Sequence, residues 1–428
     1  MTAITQNLRY LFRTLAYRNY RLFFLGQIVA LTGTWMTLAA MGWLVFRLTE
    51  DPFKLGLIGF FMHAPTFILA PLGGALTDRL DRRRLIVYTQ ILNLGIMVIL
   101  AGVTLFGFVQ IWHILLACTL LGVVKGFEMP ARQALVVDIV DDRSKLSNAI
   151  ALNSSIFHAA RLAGPMIAGG LIIPLFGNAG EGVCFLIHGL SYLVSIAFLL
   201  ALQMKRHQYK ASGKNIFAEM REGFAYAFGF PPVRTLLLLM GVLALFGMPY
   251  GTLLPVFAAQ ILDGGSRTYG LLLSAGGIGA VFSAIYLASR PSALGLGRII
   301  ALSQLLFSIM LASFAFSTHL WLSAFLLVLT GGTSLTAMVG TNTILQTLVD
   351  DERRGRLMSL MGMTFMGALP VGAILFGKAA SFIGAPITLL LGATVCGAAG
   401  LVFAWRLPAL RRIARPIYIE RGLLPQKP

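Results

Sequence analysis

Twelve long apolar runs decide what this chain can fold into. Each approaches the ~20 residues that a helix needs to cross a hydrocarbon core, and they can be marked near 22–46, 55–77, 85–107, 109–128, 147–174, 182–203, 233–258, 268–289, 297–316, 319–342, 356–382 and 384–405. Short stretches of Gly, Pro and charge separate them, as at the ends of helices. Of the 428 residues, 57% are hydrophobic and 12% charged, against about 25% charged in a soluble domain. The spacing predicts an all-α integral membrane protein of twelve transmembrane helices, or eleven if 147–174 or 356–382 is not a crossing. The first run follows four arginines, lacks a small-residue cleavage site and is too long for a removable signal, so it is expected to stay as the first helix.

Basic residues alternate from side to side. Twenty-eight Lys and Arg fall on the side of the two termini and three (Arg47, Lys54 and Arg267) on the other. By the positive-inside rule this places both termini in the cytoplasm, in a bacterial inner membrane. The net charge of +18 is then topology and attraction to anionic lipid, and not a nucleic-acid footprint. Cys118, Cys184 and Cys396 all fall inside apolar runs, an odd number without metal-ligand spacing, so no disulfide framework, metal or cofactor is expected.

The runs group into domains. Residues 1–21 carry Leu8, Leu11, Phe12 and Leu15 at helical spacing among arginines, which reads as an amphipathic helix on the inner leaflet. Then follow a six-helix bundle over 22–203, a cytoplasmic linker over 204–232, a second bundle over 233–405 and a basic tail over 406–428. Val140-Asp141-Asp142 returns as Val349-Asp350-Asp351 at an offset of 209 residues, each after the fourth helix of its half. That placement points to a duplication, two pseudo-symmetric halves that rock about a site between them.

Between the second and third runs stands GGALTDRLDRRR. With the six-plus-six arrangement and the long middle loop, it resembles the major facilitator superfamily, whose signature in this loop is G-x-L-x-D-R-x-G-R-R/K. Gly74, Leu76, Asp78, Arg79, Arg82 and Arg83 match in register, and Asp81 departs from it where the pattern prefers glycine. The stretches NYRLFFLGQIVALTGTWM, PARQALVVDIV and ARLAGPMIAGG more narrowly resemble the branch that contains the enterobactin exporter. In the family this loop latches the two halves on the cytoplasmic side, so the resemblance implies a gate in which Asp78 and Arg82 act. Gly73 and Gly74 would let a neighbouring helix approach, and Asp78 could pair with cations or cap a helix. The competing reading is that the arginines only enforce orientation.

The fifth run holds Gly164, Pro165, Gly169 and Gly170, an imperfect match to the G-P-x-x-G-G motif of exporters in the superfamily; close packing and a proline kink are kept. Arg161 lies at mid-span with His158 three residues away on the same face. A cation at that depth is a functional candidate unless it is bonded to carbonyls or to an acid such as Glu128.

Coupling is the thinnest part of the reading. None of the sixteen acids falls clearly mid-span. Asp78, Glu128 at the inner end of the fourth run, and His158 are the candidates for proton or ion coupling. His63, His113, His158 and His188 fall within runs and titrate in a useful range, although a lone intramembrane His is more often a packing residue. Lys378, near the outer end of the eleventh run, is expected to snorkel.

The family lines its central cavity with the first, fourth, seventh and tenth helices. By that resemblance the cavity candidates are Gln27, Thr34, Trp35, Lys125, Met248, Tyr250, Thr330 and Thr333. Pro249 and Pro255 break the seventh run, as in helices that border transport sites. With thirty Phe and seventeen Met in the chain, an apolar cavity with few polar anchors suits a bulky amphiphilic solute. The reading is a monomeric secondary transporter exporting a siderophore-like or drug-like organic molecule against proton entry. Its partners are the solute, protons and membrane lipid. The alternatives are a facilitator or importer of a small metabolite, and a membrane sensor or scaffold. Neither a catalytic constellation nor a phosphate-binding loop appears in the sequence, so an enzyme or an ATP-driven pump is not expected.

Overall fold

Every apolar window becomes a helix in the computed structural model, which describes residues 13–140, 146–203, 225–290, 292 and 294–421. Leu8, Leu11 and Phe12 of the expected amphipathic helix, the Asp141-Asp142 pair and most of the 204–232 linker lie outside the described residues. The helices are α1 (Arg18–Thr49), α2 (Pro52–Thr77), α3 (Arg82–Leu105) and α4 (Ile111–Ile139). α5 runs as Leu146–Pro165, relaxes into a π-helical Met166–Ile172 and closes with Ile173–Phe176; α6 is Gly180–Leu200. α7 combines Pro231–Val242 and Tyr250–Val256 with π-helical turns at Leu243–Gly247 and Phe257–Ile261. The rest are α8 (Ser266–Ala288), α9 (Leu296–Ala315), α10 (Leu320–Leu348), α11 (Asp351–Ile383) and α12 (Ala385–Glu420).

Among the described residues eleven helical runs are long and apolar enough to cross a membrane, one of them the 49-residue Leu152–Leu200. At about 1.5 Å per residue that run would reach roughly 73 Å, more than twice a hydrocarbon core of about 30 Å. It holds two crossings. The chain reverses at Gly177, whose φ of +54° is one that only glycine adopts freely, and Gly180 then lies against Ile173, where a Cβ would come within 2.5 Å of its Cα. The count is therefore twelve.

By compactness the chain falls into two units: Met1–Glu50, Phe61–Ser212 and Gly264–Ser274 in the first, and Asp51–Phe60, Gly213–Asp263 and Ala275–Pro428 in the second. In the first, α1 packs on α5 and α6, and α3 on α4 and α6. In the second, α7 packs on α11 and α12, and α9 on α10 and α12. The pairings are the same once helix numbers are shifted by six, so the duplication expected from the short sequence repeat is present in the packing. Apolar side chains close the basic end of each unit: Tyr20, Ile86, Leu135 and Leu152 in the first, Val233, Ile300, Leu345 and Phe403 in the second.

Two caps correct the sequence reading. Asp81, the residue that departs from the loop signature, is the N-cap of α3, its side chain accepting from the Arg84 backbone N–H at 3.1 Å; this is the capping role expected of Asp78. His113 lies in the first turn of α4, where it closes a capping box with Gln110. Its ring accepts from the Gln110 backbone N–H at 3.1 Å, satisfying a group that the first turn of a helix leaves open.

Candidate functional site

The helix that carries the charge is α4. Its apolar window stops at residue 128, yet the helix continues to Ile139, so Glu128 lies inside the helix and not at its end. Lys125, Glu128 and Arg132 are spaced i, i+3 and i+7 and share one face. Small residues on α4 bring its neighbours close. A Cβ on Gly122 would come within 2.6 Å of the Met62 carbonyl of α2, and Thr66 of α2 donates to the Gly122 carbonyl at 2.8 Å.

On that face the charges are satisfied in a definite order. Arg132 Nη2 pairs with Glu128 Oε1, and Arg132 Nη1 donates to Gln27 Oε1 of α1 at 3.0 Å. The other carboxylate oxygen accepts from Asn93 Nδ2 of α3 at 3.2 Å. Gln27, Asn93 and Glu128 are each no more than 4% exposed. Asn93 Oδ1, Arg132 Nε and, one turn along α3, both amide atoms of Gln90 are buried without a protein partner. A single ionised side chain at the centre of a bilayer costs about 2.5–3.5 kcal/mol on insertion scales, so a paired acid and base here is a neutral unit that one proton would unbalance.

Lys125 stands apart from this arrangement. Its ammonium is within electrostatic reach of Glu128 and Arg132, of His63 on α2 and of His188 on α6, but among the described residues no carboxylate bonds it. His188 shares a 2.7 Å hydrogen bond with Thr37 through Nδ1 and lies 3.5 Å from Thr34 through Nε2. The Tyr192 ring lies against His188, with 4.7 Å between centroids. Next along α1, Trp35 is flanked by Phe157 at 5.5 Å between ring centroids, and the Arg161 guanidinium sits 5.6 Å from its ring, a cation–π arrangement. Arg161 is thus held against an aromatic face and not against Glu128. His158 lies beside it, its Nδ1 buried without a partner.

The remaining candidates occupy three other places. In the α2–α3 loop Asp78 and Arg79 are exposed. Arg82 donates to both oxygens of Asp138 on α4, at 2.7 and 2.8 Å, and Arg83 to the Leu202 and Leu200 carbonyls after α6, at 3.1 and 2.5 Å. These arginines therefore fasten the start of α3 to its own unit. Gly73 meets the α4 backbone at Gly126, whereas Gly74 faces open space.

On α5, Gly164 lies against α1, where a Cβ would come 2.6 Å from Trp35 Cβ and 2.7 Å from the Met36 nitrogen. Pro165 ends the regular helix ahead of the π-helical turn. Gly169 lies on Gly270, its added Cβ 2.9 Å from that Cα. Replacing Gly164 by Val forces backbone apart and is expected to cost about 1–3 kcal/mol of overpacking, read as a lower thermal midpoint in detergent. Gly74→Ala, with nothing in its way, should stay within about 0.5 kcal/mol of wild type.

In the second unit Met248 follows the π-helical turn of α7, its N–H donating to the Leu243 carbonyl at 2.8 Å. Tyr250 is buried. Thr333 turns its hydroxyl back to the Leu329 carbonyl at 2.7 Å, and Thr330 is buried.

Of the sequence candidates, then, Gln27, Lys125 and Glu128 come together, as do Trp35, His158, Arg161 and Gly164. Sequence reasoning missed Arg132, counted there as an orientation charge, together with Asn93, Gln90 and Tyr192. The signal was available in Glu128 and Arg132, an acid four residues before a base on one helix.

Residues 11–416 match the model of a family described as transmembrane secretion effector, MFS_3. The chain is 25% identical over 377 residues to the staphyloferrin A transporter of Staphylococcus aureus (strain NCTC 8325 / PS 47), covering 87% of this chain and 93% of that protein. It is 24% identical over 395 residues to the multidrug efflux pump Tap of Mycolicibacterium fortuitum, covering 90% of this chain and 95% of the relative. Among solved structures it resembles a peptide transporter POT, with a TM-score of 0.73 at 12% identity over 92% of this chain and 95% of the other. A second is the nucleoside transporter NupG, with a TM-score of 0.68 at 12% identity over 91% and 99%. At such identities the structural likeness speaks for the fold alone.

Proposed function

The chain belongs to the transmembrane secretion effector family of major facilitator transporters, and from that premise we propose that it exports a bulky amphiphilic organic solute, siderophore-like or drug-like, in exchange for protons. It works as a monomer by alternating access, in a bacterial inner membrane with both termini in the cytoplasm. The observation that carries the coupling is the buried Glu128, held by Arg132 and Asn93 inside a membrane-spanning helix. Ionised, the carboxylate balances Arg132; protonated, it frees the guanidinium and leaves one uncompensated charge at depth. That difference is the kind of free energy a transporter uses to bias one state over another. The family description and the functions of the two relatives support secretion over uptake.

The test is proton flux in inside-out vesicles with an imposed pH gradient, challenged with a panel of siderophores and amphiphilic drugs. A compound that dissipates the gradient only when the protein is present supports coupled export and identifies its class. Labelled solute that equilibrates across the membrane while the gradient stands would show an uncoupled carrier and overturn the coupling.

A further inference from the structure

We infer that Lys125 and the groups around it form a subsite for a carboxylate of the transported solute, so that the cargo is an organic anion. The inference rests on the transport reading above and adds its charge class. Lys125 lies mid-way along the 29-residue α4, and among the described residues no carboxylate pairs with it. Both oxygens of Glu128 are engaged, by Arg132 and Asn93. Asp138 belongs to Arg82, Glu181 to Arg47, and Asp81 to the α3 cap. Asp78 and Glu50 are exposed at the ends of helices.

Among the described residues Arg161 is a second cation without an acid, and it sits over the aromatic face of Trp35. Among the described residues the interiors of α4 and α5 therefore hold three basic side chains, Lys125, Arg132 and Arg161, against the one acid Glu128. No Asp, Glu, Lys or Arg occurs between Arg234 and Asp263, or between Arg298 and Asp350.

A cation at membrane depth faces a cavity or a partner, and a ligand that brings the missing negative charge meets that demand. The donor points to carboxylate in preference to phosphate. It is a single ammonium, whereas phosphate sites gather guanidinium forks and runs of backbone N–H. Trp35 and Phe157 offer the apolar body of such a molecule an aromatic surface.

The experiment uses the full chain in lipid nanodiscs and matched pairs of naphthalene mono-, di- and tricarboxylic acids and their methyl esters. Binding is read by calorimetry, with sodium methanesulfonate replacing chloride in a parallel series. At least one acid is expected to bind about tenfold more tightly than its ester, the scale of one charge-assisted contact. Lys125→Gln should erase that preference while ester binding stays within about twofold, and Lys125→Arg should keep it.

Equal binding of every acid and its ester to wild type overturns the subsite. So does an acid preference that survives in folded Lys125→Gln, or one that chloride alone abolishes and no acid restores. Should Lys125→Gln fail to fold, the wild-type pairs and Lys125→Arg still decide. The two readings separate in vesicles. Acid-selective binding without any proton-driven flux sinks export and leaves the subsite; neutral esters exported as fast as the acids sink the subsite and leave export.

Discussion

Glu128→Gln is expected to lower proton-driven export by roughly 100-fold, equivalent to about 2.7 kcal/mol at 1.36 kcal/mol per decade, while downhill exchange of the same solute continues. The substitution keeps the shape of the side chain and its hydrogen bond with Asn93 but removes the group that gains and loses a proton. It also leaves Arg132 without its acid. Breaking a buried pair from one side costs about 3–5 kcal/mol, so the single variant should unfold at a lower temperature as well. The double variant Glu128→Gln with Arg132→Gln separates the two effects, because neither charge is then stranded. Its thermal midpoint should return toward wild type while driven export stays lost. Driven export that recovers in the double variant would show that Glu128 acts only through stability, and the coupling role would be withdrawn.

Arg47→Met should be the most damaging change for the fold itself. Arg47 grips Glu181 through Nε and Nη2, both at 3.0 Å, and holds Asn178 Oδ1 at 2.9 Å, joining the end of α1 to the start of α6. Glu181 is 0% exposed and Arg47 is not, so the loss is lopsided. Removing the arginine strands a carboxylate away from water, which costs about 3–5 kcal/mol unless it takes up a proton. Removing the acid leaves a cation that can turn to solvent. The expected order of thermal midpoints in detergent is therefore wild type, then Glu181→Gln, then Arg47→Met. Replacing both residues by Met should recover most of the loss, since an apolar pair often substitutes for a buried ion pair at little cost. Equal midpoints for Arg47→Met and wild type would mean that the pair contributes nothing to the fold.

Much of the fold is legible in the amino-acid sequence because lipid demands long apolar helices and the chain supplies them in order. Reading fails where two charges neutralise each other inside a helix. The stretch from Lys125 to Arg132 looks like the end of a crossing to any rule that weighs residues singly, and so α4 was expected to stop eleven residues early. Glu181 was passed over for the same reason: it stands one residue ahead of an apolar window, and its partner Arg47 is 134 positions away. Asp81 looked like a defect in a signature, although Asp is a favoured N-cap and the first turn of α3 uses it as one. The proximity of Lys125 to His63 and His188 depends on three helices meeting, which no spacing along the chain reveals. What the sequence did carry locally was the kinked α5, where Pro165 and its glycines mark both the close approach to α1 and the departure from regular helix.

The two units repeat one packing scheme, yet the deep charges lie in only one of them. After a duplication both copies begin with the same side chains, so the present asymmetry arose as the two halves diverged. Packing constrains both; electrostatics constrains the first far more tightly. Recombining this chain with a relative at the 204–232 linker would accordingly be an unequal exchange. The recipient of the first half inherits the ionic chemistry, and the recipient of the second inherits a scaffold on which substitutions can accumulate without disturbing it.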